Sequence, residues 1–301
     1  MTRALLIMGP TASGKSALAL ALAERLGGEI VNADSMQVYK DLRVLTARPD
    51  PAEEARAPHH LYGTIDAATR FSVGLWLAAA TEIIAGIRAR EATPIVIGGT
   101  GLYFKALTEG LADAPAGAPE ARQRLAAELA AAGGEALHQR LAGLDPESAA
   151  RIRPTDPARL LRALEVVETG VKLSDLHAQK TPTLEDWAGI ALRPERAALY
   201  AKIEARFDIM LKSGALDEVS GLAARGLDPM LPAMKAHGAP PLMAYLKGEI
   251  SLEAASDLGK RDTRRYAKRQ FTWMANQMPG WTKIEAEDEA ERLEMALKAL
   301  G

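Results

Sequence analysis

Gly9-Pro-Thr-Ala-Ser-Gly14-Lys15-Ser16 matches the pattern G-x-x-x-x-G-K-[ST] without a mismatch, and residues of those types at that spacing hold linked phosphates. The glycines let successive backbone amides converge on a di- or triphosphate. The N-terminus of a following helix adds positive potential, Lys15 supplies a mobile charge, and Ser16 can ligate Mg2+. Gly9, Pro10, Thr11, Ala12, Ser13, Gly14, Lys15 and Ser16 are therefore the candidate diphosphate-binding residues. The motif leaves the reaction open. Hydrolysis of ATP or GTP needs an apolar strand ending in an Asp that holds Mg2+, yet Pro94-Ile-Val-Ile97 runs into glycine. The strand-end acid follows Glu29-Ile-Val-Asn-Ala instead. Asp34 is then a magnesium partner, a base acting on a second substrate, or a solvated strand end without a role.

Elements of the right kind surround these residues. Arg3 to Met8 is an aliphatic run cut off by Gly9, which predicts a buried parallel strand. Leu18, Leu22 and Leu26 at helical spacing, closed by Gly27-Gly28, predict a helix over Lys15 to Leu26. Glu29 to Asp34 predicts a second strand, and β-α-β order implies a parallel sheet with right-handed crossovers. Ser72 can cap a helix over Val73 to Arg90, which leads into a third strand at Pro94 to Ile97 and then Gly98-Gly-Thr-Gly101. The linker-like stretch Ala112 to Pro119 breaks this alternation, and Ala-, Leu- and Arg-rich helical sequence follows to about Gly170. Trp187 to Leu192 predicts a strand returning to the sheet, followed by a helix over Arg196 to Ser213 and a mostly helical last hundred residues.

The chain has 301 residues, 37 Lys and Arg against 39 Asp and Glu, five His and no Cys. Near-neutral charge excludes a wholly basic polyanion-binding protein, and the lack of Cys excludes disulfides, thiol nucleophiles and thiolate zinc sites. No run is long and apolar enough for a membrane span, and Met1 to Met8 leads into the Gly-rich loop rather than a signal peptide. A cytoplasmic protein is expected.

Three further strings join the phosphate loop: Asp34-Ser-Met-Gln-Val-Tyr39, Gly98-Gly-Thr-Gly-Leu-Tyr-Phe-Lys-Ala-Leu107 and Thr263-Arg-Arg-Tyr-Ala-Lys-Arg-Gln-Phe-Thr-Trp273. Together with Asp156-Pro-Ala-Arg-Leu-Leu-Arg162 and Ile203-Glu-Ala-Arg-Phe-Asp-Ile-Met210, they run in order over nearly the whole chain. The ordered set resembles the tRNA dimethylallyltransferase (tRNA isopentenyltransferase) family, in the bacterial form without a zinc finger. The resemblance implies an α/β fold with a P-loop NTPase-like parallel sheet core, expected over residues 1–113 and 181–301, and an inserted all-helical tRNA-binding subdomain over 114–180. It also implies transfer of a dimethylallyl group from dimethylallyl diphosphate to the exocyclic amine of the adenosine 3′-adjacent to the anticodon, with release of pyrophosphate.

Residue by residue, the resemblance gives catalytic roles to Asp34 as general base, Thr100 at the amine, and Arg206 and Thr11 at the diphosphate. Mg2+ is the expected cofactor, held by Ser16. The expected tRNA contacts are Asp34, Ser35, Met36, Gln37 and Thr100, then Arg122, Ala158, Arg159, Leu160, Leu161 and Arg162, then Arg264, Lys268, Arg269 and Gln270. The last group lies in Lys260 to Gln270, where six basic residues fall within eleven, suited to phosphate contacts on an anticodon stem-loop. A monomer is expected. Met234-Lys-Ala-His-Gly-Ala-Pro-Pro-Leu242 departs from the family after its glycine. The competing readings are an adenylate isopentenyltransferase using a free nucleotide and, from another class, a P-loop kinase or nucleotide-switch module. The insertion and the basic segment disfavour the first, and the missing Asp after Ile97 disfavours the second.

Overall fold

Ala4-Leu-Leu-Ile-Met8 is buried at every position, as a strand covered on both faces of a parallel sheet must be. In the computed structural model, which describes residues 2–115, 117–177 and 181–300, this run is β1 (Ala4–Met8). It feeds the phosphate loop and α1 (Lys15–Leu26), then β2 (Gly28–Asn32), α2 (Pro51–Arg56) and β3 (His59–His60). The chain crosses through α3 (Val73–Ala89) to β4 (Thr93–Gly98) and enters α4 (Gly101–Glu109). Four helices follow: α5 (Pro119–Leu144), α6 (Pro146–Arg151), α7 (Pro157–Val167) and α8 (Leu173–His177). The chain then forms β5 (Trp187–Leu192), α9 (Arg196–Lys212), α10 (Ala215–Ala224), a 3-10 turn at Ala233–Lys235, and α11 (Ala239–Leu246). It closes with α12 (Leu252–Gln277), β6 (Thr282–Ile284) and α13 (Glu289–Lys298).

Among the described residues, six strands form one parallel sheet in the order β3-β2-β4-β1-β5-β6. The expected α/β architecture is present, and β5 returns beside β1 in the register Ala4↔Trp187 to Met8↔Ala191. β3 and β6 escaped the sequence reading because two and three residues are too short to show a period. Register aligns the chemistry. Met8 pairs with Gly98 and Asn32 with Ile97, so the loops after β1, β2 and β4 leave the same carboxyl edge of the sheet, where open α/β sheets bind ligands.

Two compact units divide the chain, residues 1–106 with 184–301, and residues 107–183. In the first, α1 and the sheet bury Leu18, Leu22, Ile95 and Ile190, while α9 to α11 enclose Val38, Leu42, Phe207 and Val219. α11 explains how Ala239-Pro-Pro is tolerated. Gly238 takes φ +93° and the prolines fall in the first helical turn, where a missing N–H breaks no helix bond. The second unit is helical and packs Leu125, Leu137, Leu141, Leu160 and Leu164 into its own core. Residues 178–180, at the far end of the expected insertion, lie outside the described residues. Among the described residues, no helix is long and apolar enough to cross a membrane.

Candidate functional site

The phosphate loop owes its shape to two left-handed residues. Ala12 has φ +64° and Gly14 φ +83°, and Gly14 stands at the N-cap of α1 with no side chain closing the helix end. The first-turn amides are thus left open to an anion. Lys15 Nζ donates to Pro10 O at 3.3 Å, folding the lysine back over the loop. Burial lowers the Lys15 pKa to about 8, with Asp34 opposing the shift and Arg206 reinforcing it. Arg206, on α9, donates from Nη2 to Thr11 Oγ1. Burial lowers its pKa too, and Asp34 opposes that shift. Lys15, Arg206 and Thr11 therefore meet at one place, in the field of Asp34. A cavity of about 460 Å3 opens beside Lys15 and Arg206, lined by Lys15 and Ser16 at the start of α1, by Lys202 and Arg206 on α9, and by residues 47–50 and Glu53.

Asp34 is held by its neighbours. Its amide donates to Asn32 Oδ1 at 2.8 Å, and its Oδ1 accepts from Met36 N at 2.9 Å. Among the described residues, none donates a hydrogen bond to Oδ2, so one carboxylate oxygen remains available. Asn32 is fully buried, and its amide nitrogen donates to Asp34 O and Leu61 O, each at 3.0 Å. Trp76 Nε1 donates to Asn32 O at 2.7 Å, and Tyr103 stacks on the Trp76 ring at 4.1 Å. Sequence reading passed over Asn32, although an amide directly after the apolar Ile30-Val31 pair was a usable signal.

Thr100 comes to the same edge. Ser35 N donates to Thr100 Oγ1 at 3.0 Å, and Thr100 N to Ala33 O at 3.1 Å. Tyr266 OH donates to Gly99 O at 3.4 Å, and burial raises its pKa, with Asp34 adding to the shift. His237 packs against the Tyr266 ring at 4.3 Å.

Gln270, expected among the RNA contacts, is buried at 3 % exposure and engaged at both ends. Its Oε1 accepts from Thr11 N at 3.0 Å and its Nε2 donates to Gly99 O at 3.0 Å. A Cβ on Gly99 would fall 2.0 Å from that nitrogen, so glycine is required for the contact. Gln270 ties the phosphate loop to the β4 loop. Gln37 is likewise engaged internally, donating to Thr46 O and Ala47 O.

The basic segment on α12 is partly neutralised within the chain. Arg264 pairs with Glu204, and Lys260 with Asp208 at 2.6 Å. Lys268 and Arg269 are exposed and have no carboxylate partner among the described residues, and Arg269 lies 5.6 Å from the Tyr266 ring centre. In the helical unit, Arg122 and Arg162 flank the buried Glu165 at 3.4 and 3.8 Å, and Arg159 pairs with Asp156 at 3.3 Å. Ala158 and Leu161 share α7 with Leu160, whose side chain is fully buried in that unit's core.

No group of three or more His, Asp or Glu among the described residues could hold a metal alone. Mg2+ takes one or two protein oxygens and completes its shell from substrate phosphates and water. The Ser16 hydroxyl and the Asp50 and Glu53 carboxylates line the cavity and are donors of that kind.

The IPP transferase family model matches residues 37–277, and an isopentenyl transferase model matches residues 2–62. The tRNA dimethylallyltransferase of Rhodopseudomonas palustris strain BisB18 is 59% identical over 296 residues, covering 97% of this chain and 94% of the relative. That of Phenylobacterium zucineum is 57% identical over 284 residues, covering 94% and 92%. Among solved structures, the full-length tRNA isopentenylpyrophosphate transferase of Bacillus halodurans superposes with a TM-score of 0.72 at 33% identity, covering 99% of this chain and 95% of that one. A eukaryotic dimethylallyltransferase acting on tRNA gives a TM-score of 0.83 at 27% identity, covering 97% and 75%.

Proposed function

The chain belongs to the IPP transferase family, and from that membership we propose how its residues transfer a dimethylallyl group from dimethylallyl diphosphate to tRNA. The acceptor is the exocyclic amine of the adenosine 3′-adjacent to the anticodon. The amine nitrogen bonds to the allylic carbon, the carbon–oxygen bond to the diphosphate breaks, pyrophosphate leaves, and the amine proton passes to Asp34. The observation that carries this reading is the convergence of the Lys15–Arg206–Thr11 cradle with the Asp34 carboxylate at one sheet edge.

Each part has a physical task. The amine is a poor nucleophile because its lone pair is conjugated with the ring, so the free Oδ2 of Asp34 accepts its proton as the new bond forms. Thr100, fixed by the Ser35 amide, orients the same amine. Lys15, Arg206 and the loop amides stabilise charge as it gathers on the leaving group. Mg2+, with Ser16 as protein ligand, adds charge neutralisation at the diphosphate when bound. Gln270 positions Thr11 against Gly99 rather than touching RNA. The base reaches such a pocket only by leaving the anticodon stack. Ser35, Met36, Arg122, Arg159, Arg162, Lys268 and Arg269 supply RNA contacts in this reading, with the enzyme acting as a cytoplasmic monomer.

Labelled dimethylallyl diphosphate with Mg2+ should mark unmodified tRNA and leave AMP unmarked. Label on AMP alone refutes the tRNA assignment in favour of a free-nucleotide enzyme.

Two further outcomes follow from the geometry. Because burial depresses Lys15 to about 8, and a bound diphosphate restores its proton, donor affinity is full below that pH and falls as pH rises through it. Calorimetry in buffers of different ionisation heat should show proton uptake near pH 8, absent in Lys15→Met. For RNA, replacing Lys268 and Arg269 together by Ala should raise the tRNA Michaelis constant and flatten its logarithmic salt slope by about one per lost phosphate contact. Arg264→Ala should change that slope less, because Glu204 already offsets its charge. Equal slopes for all three proteins would make the α12 segment an ordinary solvated face.

A further inference from the structure

The wall of the cavity formed by residues 47–50 and Glu53 carries a cation that the reading above does not use. Arg48 lines the cavity together with Lys15 and Arg206. Its Nη1 donates to Tyr39 O at 3.1 Å, while its Nε is buried without a hydrogen-bond partner among the described residues. No carboxylate lies within ion-pair distance of it among the described residues. Asp50 and Glu53, which share the wall, each spend an oxygen on the other's backbone amide, at 2.8 and 3.0 Å, in the capping box of α2. Lys202 differs, since Glu287 stands 3.9 Å from it. Burial lowers the Arg48 pKa and Arg43 adds to that shift, against the weaker pull of Glu54 and Glu218. Arg48 is only half-buried, but its enclosed Nε carries an N–H without an acceptor, which is unfavourable unless an anion completes it.

The surrounding chain is built to present this group. Ala47 takes φ +51°, a conformation disfavoured for a residue with a Cβ. The Gln37 amide fixes that turn by donating to Thr46 O and Ala47 O, each at 2.9 Å, and Arg48 N donates to Arg43 O at 3.0 Å. Gly63 leaves room for the guanidinium, since a Cβ there would fall 1.9 Å from Nη1. Backbone strain, an internal amide clamp and a glycine slot thus converge on one unpaired cation beside the phosphate loop.

We propose that Arg48 is a further donor-binding residue, hydrogen-bonding the diphosphate from this wall and holding the pyrophosphate as it departs. The proposal rests on the prenyl-transfer reading of this cavity. Calorimetric titration of the full chain with inorganic pyrophosphate and with dimethylallyl diphosphate, both with Mg2+, tests it in wild type, Arg48→Gln and Arg48→Lys. In Arg48→Gln both affinities fall together by on the order of tenfold to a hundredfold, as for lost hydrogen bonds to a charged group, while tRNA affinity stays at the wild-type value. Arg48→Lys, which keeps the charge but loses the fork and Nε, loses several-fold. Unchanged pyrophosphate affinity in folded Arg48→Gln, or a drop in melting temperature with affinity intact, overturns the proposal and leaves Arg48 as a brace for the Tyr39 carbonyl. Should Arg48→Gln not fold, Arg48→Lys decides, and wild-type affinity in it overturns the proposal. Wild type that binds neither ligand overturns the prenyl-transfer reading itself.

Discussion

Asp34→Asn lowers the single-turnover rate of dimethylallyl transfer by on the order of 10²-fold or more, with donor affinity within a few-fold of wild type. The substitution is close to isosteric, and the local frame survives it. Asn can still accept from Met36 N, and its amide still donates to Asn32 Oδ1. What disappears is the ability of Oδ2 to take a proton from the attacking amine. Donor binding is buffered because the Asp34 charge acts on the cradle in two opposed ways. Removing it makes the cavity more positive, and it also withdraws the field that helps keep Lys15 protonated. Rapid-quench measurement on preformed enzyme–donor complexes isolates the chemical step. An unchanged single-turnover rate with a large loss of donor affinity would make Asp34 a metal or structural residue.

Lys15→Met should reduce kcat/KM for the donor by on the order of 10² to 10³-fold, the usual loss when one preorganised group facing developing negative charge is removed. Met fills a similar volume and removes a buried charge, so the fold should be as stable as wild type or more so. That separates the loss from unfolding. Arg206 and the loop amides remain, which is why the residual rate stays measurable. Steady-state kinetics with a melting curve on the same sample checks both parts, and a loss below about fivefold in kcat/KM would remove Lys15 from the cradle.

Much of this site could be read from the sequence because its parts are local. The phosphate loop is contiguous, Asp34 and Thr100 end apolar strands, and parallel order alone places those ends on one edge. Long-range bonds were less legible. Gln270 sits among arginines, so it reads as part of a basic face, and only the fold turns it inward to bond Thr11, 259 residues away in sequence, and Gly99, 171 residues away. Arg264 reads as a free cation until α9 brings Glu204 beside it. Arg48 gives no sequence signal at all. Its meaning comes from the strained Ala47, the amide of Gln37 and the gap at Gly63, none of which can be inferred from spacing. The two short strands were missed for a different reason: pairing with a long neighbour, not their own pattern, makes them strands.

In prenyl transfer the glycine-rich loop holds an isoprenoid diphosphate rather than a nucleotide triphosphate that it cleaves. Titration of the purified chain in Mg2+ with dimethylallyl diphosphate and separately with ATP, alongside an assay for released phosphate, tests this directly. The expected result is saturable one-site binding of the five-carbon donor, weakened in Lys15→Met, with no steady ATP turnover. Tight ATP binding with continuous hydrolysis and no heat from the donor would contradict it.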